Sequence, residues 1–185
     1  MVAVSLKKGH LDLIDAVAHL RRLRPSLSFR LVLVGEGPDR RAIERKAAAL
    51  GVEDRITLAG HRIDVRPYYA LADLLLMPSH SEGSPNVLLE AMSAGIPVAA
   101  TSVGGIPEIA GHEENALLVA RGDMDAMANA AVRLLEDPGL ARRLADSAVK
   151  VACNYTPEAY SQALLQLYDQ VLAERSGPLC ACESR

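Results

Sequence analysis

Short apolar runs alternate along the chain with longer stretches in which apolar side chains return at helical spacing, and this rhythm holds as far as Ala120. It predicts strands at "VAVS", "FRLVLVG", "RITLAG", "DLLLMPS", "PVAATSV" and "NALLVA". Between them it predicts helices from Leu11 to Leu23 and from Asp39 to Leu50, a short helix near Tyr68, a helix after Pro85 and a turn of helix near Pro107. Strands and helices in such alternation, joined by short connections marked with Gly and Pro, define an α/β fold with a doubly wound parallel sheet covered on both faces. Beyond Ala120 the pattern turns to helices alone, at Met124–Glu136, Leu140–Ala152 and Pro157–Glu174. The last opens with Thr156 as a cap, Pro157 at the first helical position and Glu158 in the first turn. The closing "SGPLCACESR" has no such pattern, so we expect one domain over residues 1–175 and a tail over 176–185.

Composition narrows the classes. The chain has 185 residues, 50% of them hydrophobic, which suits one well-cored domain. Its net charge of -3 comes from mixed signs without a basic face, so nucleic acid is not an expected partner. No run is long and apolar enough to span a membrane, and the N-terminus lacks the pattern of a secretory signal. Three cysteines are a poor disulfide framework. These features place the protein in the cytoplasm. None of the five histidines has metal-ligand spacing, so no metal site is expected. The immediate entry into a strand at "VAVS" is expected of a piece taken from a longer chain, the alternative being a natural short protein with an edge strand at its terminus.

One stretch departs from the buried pattern around it. Between "DLLLMP" and "IPVAAT" lies "SHSEGSPNVLLEAMSAG", with Glu82 before a helix and Glu90 inside it. In an open parallel sheet, ligands bind at the carboxyl ends of the strands, where loops lead into helix N-termini. Ser84 can cap this helix and Pro85 fits its first position, leaving amides near Asn86 and Val87 to receive an anion such as a phosphate. Gly83 lets a ligand approach the backbone closely. Asn86, Glu90 and Ser93 share one narrow polar face of an otherwise apolar helix. There Glu90 can accept hydrogen bonds from ribose hydroxyls, and Glu82 can face a second sugar in the outer crevice. The alternatives are that Glu82 is a solvated loop charge and that Glu90 pairs with a nearby Arg or Lys.

Glu82 and Glu90, with seven residues between them, form an E-x7-E pattern, "EGSPNVLLE". With the following "AMSAGIPVAATSVGGIPEI", and with "LVLVGEGPDR", "ITLAGH" and "NALLV", the chain from Val2 to Leu172 resembles retaining glycosyltransferases of the GT-B fold. These are the group 1 enzymes, or glycosyltransferase family 4, and the likeness is to their C-terminal, donor-binding domain. The resemblance implies a Rossmann-like half that holds a nucleotide diphosphate sugar, UDP- or GDP-linked, with no cofactor or metal. A separate N-terminal half, apparently missing here, would hold the acceptor and carry any peripheral membrane association. It implies that Glu90 binds the ribose, that Glu82 contacts the donor sugar, and that Gly83, Ser84, Pro85, Asn86 and Val87 line the sugar and diphosphate. It also implies that His61, Arg62 and Ile63 form the base loop, and that Lys8 or Lys7, most of all Lys8, neutralises the departing diphosphate. The family's usual Arg in that segment is replaced by "SLKKG". A non-catalytic nucleotide-sugar-binding or partner module is the alternative reading.

Remaining motifs take plainer readings. Gly35-Glu36-Gly37 lacks the last glycine of a dinucleotide fingerprint and reads as a strand-to-helix turn near the sugar phosphate. Tyr68 and Tyr69 read as bulky filler in a helix, and His61 and His80 lie on candidate crevice loops. The last helix carries Ala159, Leu164, Leu165, Leu167 and Val171 on one broad apolar face.

Overall fold

The computed structural model describes residues 8–175. The expected first strand, "VAVS", Lys7 and the 176–185 segment lie outside the described residues. The chain divides into two units, residues 1–152 and 153–185, and each is described by itself.

In the first unit the alternation takes the predicted form. Its elements are α1 (His10–Leu23), β1 (Leu31–Val34), α2 (Arg40–Ala49), β2 (Ile56–Gly60), α3 (Arg66–Leu71), β3 (Leu75–Met77), α4 (Asn86–Ser93), β4 (Val98–Thr101), α5 (Ile106–Ile109), β5 (Leu117–Val119), α6 (Met124–Glu136) and α7 (Pro138–Ala152). Every described strand pair is parallel, but the strands fall into two groups, β1-β2 and β3-β4-β5. Leu33 is paired with Leu58 in the first group and Ala99 with Leu117 in the second. Residues of β1 and of β3 both line one cavity.

The sheet is covered on both faces, as the sequence predicts. Every residue of β4 is buried, and its side chains alternate between two cores. Ala99 joins the core built on α1 and α6, with Leu13, Ile14, Val17, Leu117, Met127 and Leu134. Val98 and Ala100 join the core under α4 and α7, with Leu88, Met92, Ile106 and Ala148. Burying a Leu, Ile or Val side chain stabilises a fold by about 1.5–3 kcal/mol, so α1, which buries Leu13, Ile14, Val17 and Leu20, is held chiefly by tertiary packing.

Local chemistry sets the helix ends. Asp123 caps α6 by accepting the Ala126 N–H at 2.8 Å. Asp137 accepts the Leu140 N–H at 2.9 Å, and Pro138 takes the first helical position, so α7 starts two residues before the expected Leu140. Gly9 precedes α1 with a φ of 68°, in the left-handed region, and a Cβ there would collide with the Pro78 carbonyl oxygen. This close approach pins Lys8 and Gly9 to the carboxyl end of β3.

In the second unit α8 (Pro157–Arg175) opens as predicted, with the Ala159 N–H donating to Thr156 Oγ1 at 3.1 Å. Of its expected apolar face, Ala159 and Leu164 are half-buried, while Leu165, Leu167 and Val171 are exposed.

Candidate donor site at the carboxyl ends of the strands

The cavity between the two strand groups has a volume of about 640 Å³. Its walls between β1 and β3 are apolar, with Leu31, Leu33, Leu58, Leu75 and Met77. Arg30, Thr57 and Asp73 line it toward the amino ends of the strands, while at its carboxyl end lie Lys8 before α1, Arg62 after β2, Glu82 after β3, and Glu90 on α4. This end is where an open α/β sheet presents loops and helix N-termini to a ligand.

Glu82 is neither a solvated loop charge nor turned to the outer crevice; it is 7% exposed and drawn inward. Lys8 Nζ donates to Oε1 at 2.7 Å and to Oε2 at 2.8 Å, and the Ser79 hydroxyl donates to Oε1 at 2.7 Å. Ser79 is fixed in turn, because its carbonyl accepts the Thr101 hydroxyl at 2.6 Å. Below the turn, the Gly105 N–H donates to the Glu82 carbonyl at 3.1 Å. Gly104 has a φ of 52°, and a Cβ on it would strike that same carbonyl oxygen. The carboxylate is buried because its charge is met by an ammonium and a hydroxyl, the condition on which such burial is tolerated.

The next residues correct the expected helix start. Pro85, not Ser84, occupies the cap position, and no side chain caps α4. The Ser84 hydroxyl donates instead to Asn86 Oδ1 at 3.3 Å. The Asn86 N–H is not free, since it donates to the Ser84 carbonyl at 3.0 Å. The ring restrains only φ, which at -83° is compatible with a helix; it is the ψ of 69° at Pro85 that lies outside helical geometry and delays the first helical residue to Asn86. Val87 lines the cavity, and among the described residues no acceptor takes its N–H. A Cβ on Gly83 would meet nothing within 4 Å, so the backbone there is open to a ligand.

On α4 the expected polar face is present, with Asn86, Glu90 and Ser93 exposed over buried Leu88, Ala91 and Met92. Among the described residues Glu90 pairs with no Arg or Lys. Its partner is Tyr69, whose hydroxyl donates to Oε2 at 2.7 Å. Tyr69 is more than filler: its ring packs against the core under α4 while its hydroxyl holds a carboxylate. Burial, then the hydrogen bond to Glu90 and its negative charge, push the Tyr69 phenol well above its ordinary value.

Of the base loop, the structure brings Arg62 to the cavity, where its Nε donates to the Tyr68 hydroxyl at 2.9 Å. His61 and Ile63 are exposed and do not line it, Ile63 being 96% accessible. Gly35 is also outside the lining; its N–H is taken by the Gly60 carbonyl at 2.8 Å. His80 sits beside the cavity, with its Nε2 at 2.6 Å from Asp12 and its Nδ1 accepting from Arg121 Nε at 3.0 Å. Sequence reading missed Ser79, Thr101, Tyr69 and Arg121 as supports. The nearest signal was the pair of tyrosines in a chain with one Phe and no Trp.

In a parallel α/β domain, polar side chains gathered at the carboxyl ends of the strands stand where such folds bind their ligands. Comparison with known proteins makes the assignment narrower: the family model described as glycosyl transferases group 1 matches residues 2–137, and the chain belongs to that family. It is 36% identical over 134 residues, 72% of its length and 35% of the other's, to N-acetyl-alpha-D-glucosaminyl L-malate synthase of Bacillus anthracis. Among solved structures, Anabaena Alr3699/HepE in complex with UDP superposes with a TM-score of 0.81 at 26% identity, over 91% of this chain and 47% of that one. The C-terminal domain of the group 1 family protein LpcC from Francisella tularensis matches with a TM-score of 0.74 at 26% identity, over 83% and 82%. The fold is that of GT-B glycosyltransferases. The chain spans 35% of the length of the Bacillus anthracis relative and 47% of the HepE chain.

Proposed function

We propose that this chain is the donor-binding domain of a retaining glycosyltransferase of family 4, and that it holds a nucleotide diphosphate sugar, UDP- or GDP-linked. The observation that carries this reading is the gathering of Lys8, Arg62, Glu82, Val87 and Glu90 at the carboxyl end of the cavity. An open backbone at Gly83 lies between the two carboxylates. Membership of the group 1 glycosyl transferases supports this reading over a non-catalytic module.

In this reading the Glu90 carboxylate accepts from ribose hydroxyls and Arg62 lies along the base. The Val87 N–H and the positive end of α4 face the diphosphate. Glu82 stands at the donor sugar, and Lys8, shared between that carboxylate and the phosphates, stabilises the leaving group. In the reaction the bond from the anomeric carbon to the diphosphate oxygen breaks. A bond from that carbon to the acceptor oxygen forms on the same face, and the acceptor's proton ends on the released nucleoside diphosphate or in solvent. The domain's contribution is orientation and preorganised charge rather than proton transfer. No metal or cofactor is assigned a role. The acceptor is held by a separate N-terminal half, through which any membrane association runs, and the setting proposed is the cytoplasm.

Calorimetric titration of UDP, GDP and ADP sugars into the purified chain tests this directly. The expected result is saturable binding of a UDP or GDP sugar, weakened in both Glu90→Gln and Lys8→Ala. Binding left unchanged in both variants rejects the assignment of the site.

A further inference from the structure

The consecutive tyrosines of α3 reach toward two parts of the proposed nucleoside subsite. The Tyr68 hydroxyl accepts from Arg62, on the loop after β2, and the Tyr69 hydroxyl donates to Glu90, on α4. Adjacent helical residues point about 100° apart, so one short helix can address both. Tyr69 is anchored at its other end, since its ring lies against the core that contains Leu88 and Met92.

The need for such an anchor follows from Glu90 itself. It is exposed, on a long side chain, and among the described residues no Arg or Lys holds it. A carboxylate free to change rotamer loses that freedom when a ligand binds, which weakens binding; one already held does not. Tyr69 occupies Oε2, and among the described residues no donor reaches Oε1. An ionised carboxylate oxygen can accept two hydrogen bonds, so Oε1 alone can serve the two neighbouring hydroxyls of a ribose.

We propose that Tyr69 is a positioning residue for the nucleoside subsite, its hydroxyl fixing the Glu90 carboxylate so that the remaining oxygen is presented to the ribose hydroxyls of the donor. The inference rests on the reading of Glu90 as the ribose acceptor. It assigns to the Tyr69–Glu90 pair, rather than to Glu90 alone, the preference for a ribonucleotide over its deoxy counterpart. A site built to bond hydroxyls discriminates strongly against a ligand lacking them, provided the bonding group is held in place.

The test is calorimetric titration of UDP and GDP, each beside its 2′,3′-dideoxy counterpart, into the wild-type chain, Tyr69→Phe, Glu90→Gln and the double variant. The wild type should prefer the ribonucleotide by about tenfold or more, the size of charge-assisted hydrogen bonding. Tyr69→Phe keeps the ring and its packing. It should lose most of that preference while binding the dideoxy ligand as the wild type does, and the double variant should be no worse than Glu90→Gln. Tyr68→Phe, which severs only the Arg62 contact, should keep the preference and so controls for disturbance of α3. A full preference in Tyr69→Phe beside a lost one in Glu90→Gln overturns the inference and leaves the ribose reading standing. A full preference in Glu90→Gln, or no binding of either nucleotide by the wild type, rejects the ribose reading and the inference with it.

Discussion

Glu82 and Glu90 are separated by seven residues and live in opposite surroundings. Glu82 is buried in a turn, with both oxygens bonded to Lys8 and one also to Ser79. Glu90 is exposed on a helix face, with one oxygen bonded to a tyrosine. The difference teaches how a carboxylate is made part of a structure. A buried one is held by charge and needs its partners for the turn to exist. An exposed one is held by a neutral donor, at little cost to the fold, and keeps acceptor capacity for a ligand. Glu82 is therefore a structural element at the cavity, whereas Glu90, in the reading proposed above, is a binding group that the structure merely aims.

The contrast can be broken most severely from below. Gly104→Ala places a methyl against the Glu82 carbonyl in a left-handed backbone, and should cost about 3 kcal/mol, the upper end of ordinary single substitutions, read by denaturant unfolding. Lys8→Met comes next. It strips the buried carboxylate of its ammonium and leaves only Ser79, and because the Lys8 side chain is itself 34% exposed the loss should be about 2 kcal/mol. Glu90→Gln should sharpen the contrast by doing the reverse: stability within about 0.5 kcal/mol of wild type, as for most surface changes, with nucleotide affinity down about tenfold. If Glu90→Gln proves as destabilising as Lys8→Met, the two carboxylates do not divide their roles in this way.

The smallest effect is in alkaline titration. Tyr69 has a folded value raised above that of a free phenol, so its contribution to stability is complete below the ordinary value of about 10 and is lost only as pH rises through the raised one. By ultraviolet absorbance Tyr69 should be a late-ionising tyrosine among the five, and Tyr69→Phe should delete that late component. Glu90→Gln should move it down only in part, because burial, the largest cause of the rise, remains.

What the sequence determined by itself was the local and periodic part of this protein. Apolar spacing located the described elements, with α6 running from Met124 to Glu136 as predicted, because a helix or strand advertises its buried face in every turn or alternate residue. The polar face of α4 was legible for the same reason. The E-x7-E pattern with its flanking strands was enough to point to the family. Side-chain pairing across the fold was not legible. Lys8 and Glu82 meet across 74 positions and Tyr69 and Glu90 across 21, and neither partner's sequence neighbourhood signals the other. The cap of α4 also differed from expectation, because Pro85 and Ser84 can fill either of two adjacent positions and the choice belongs to the assembled turn, in which the Gly105 N–H meets the Glu82 carbonyl. Only the tertiary structure decided which glutamate is buried and which is exposed. Hydrogen bonding and burial depend on which groups arrive within about 3 Å of one another, and periodicity along the chain carries no record of that distance.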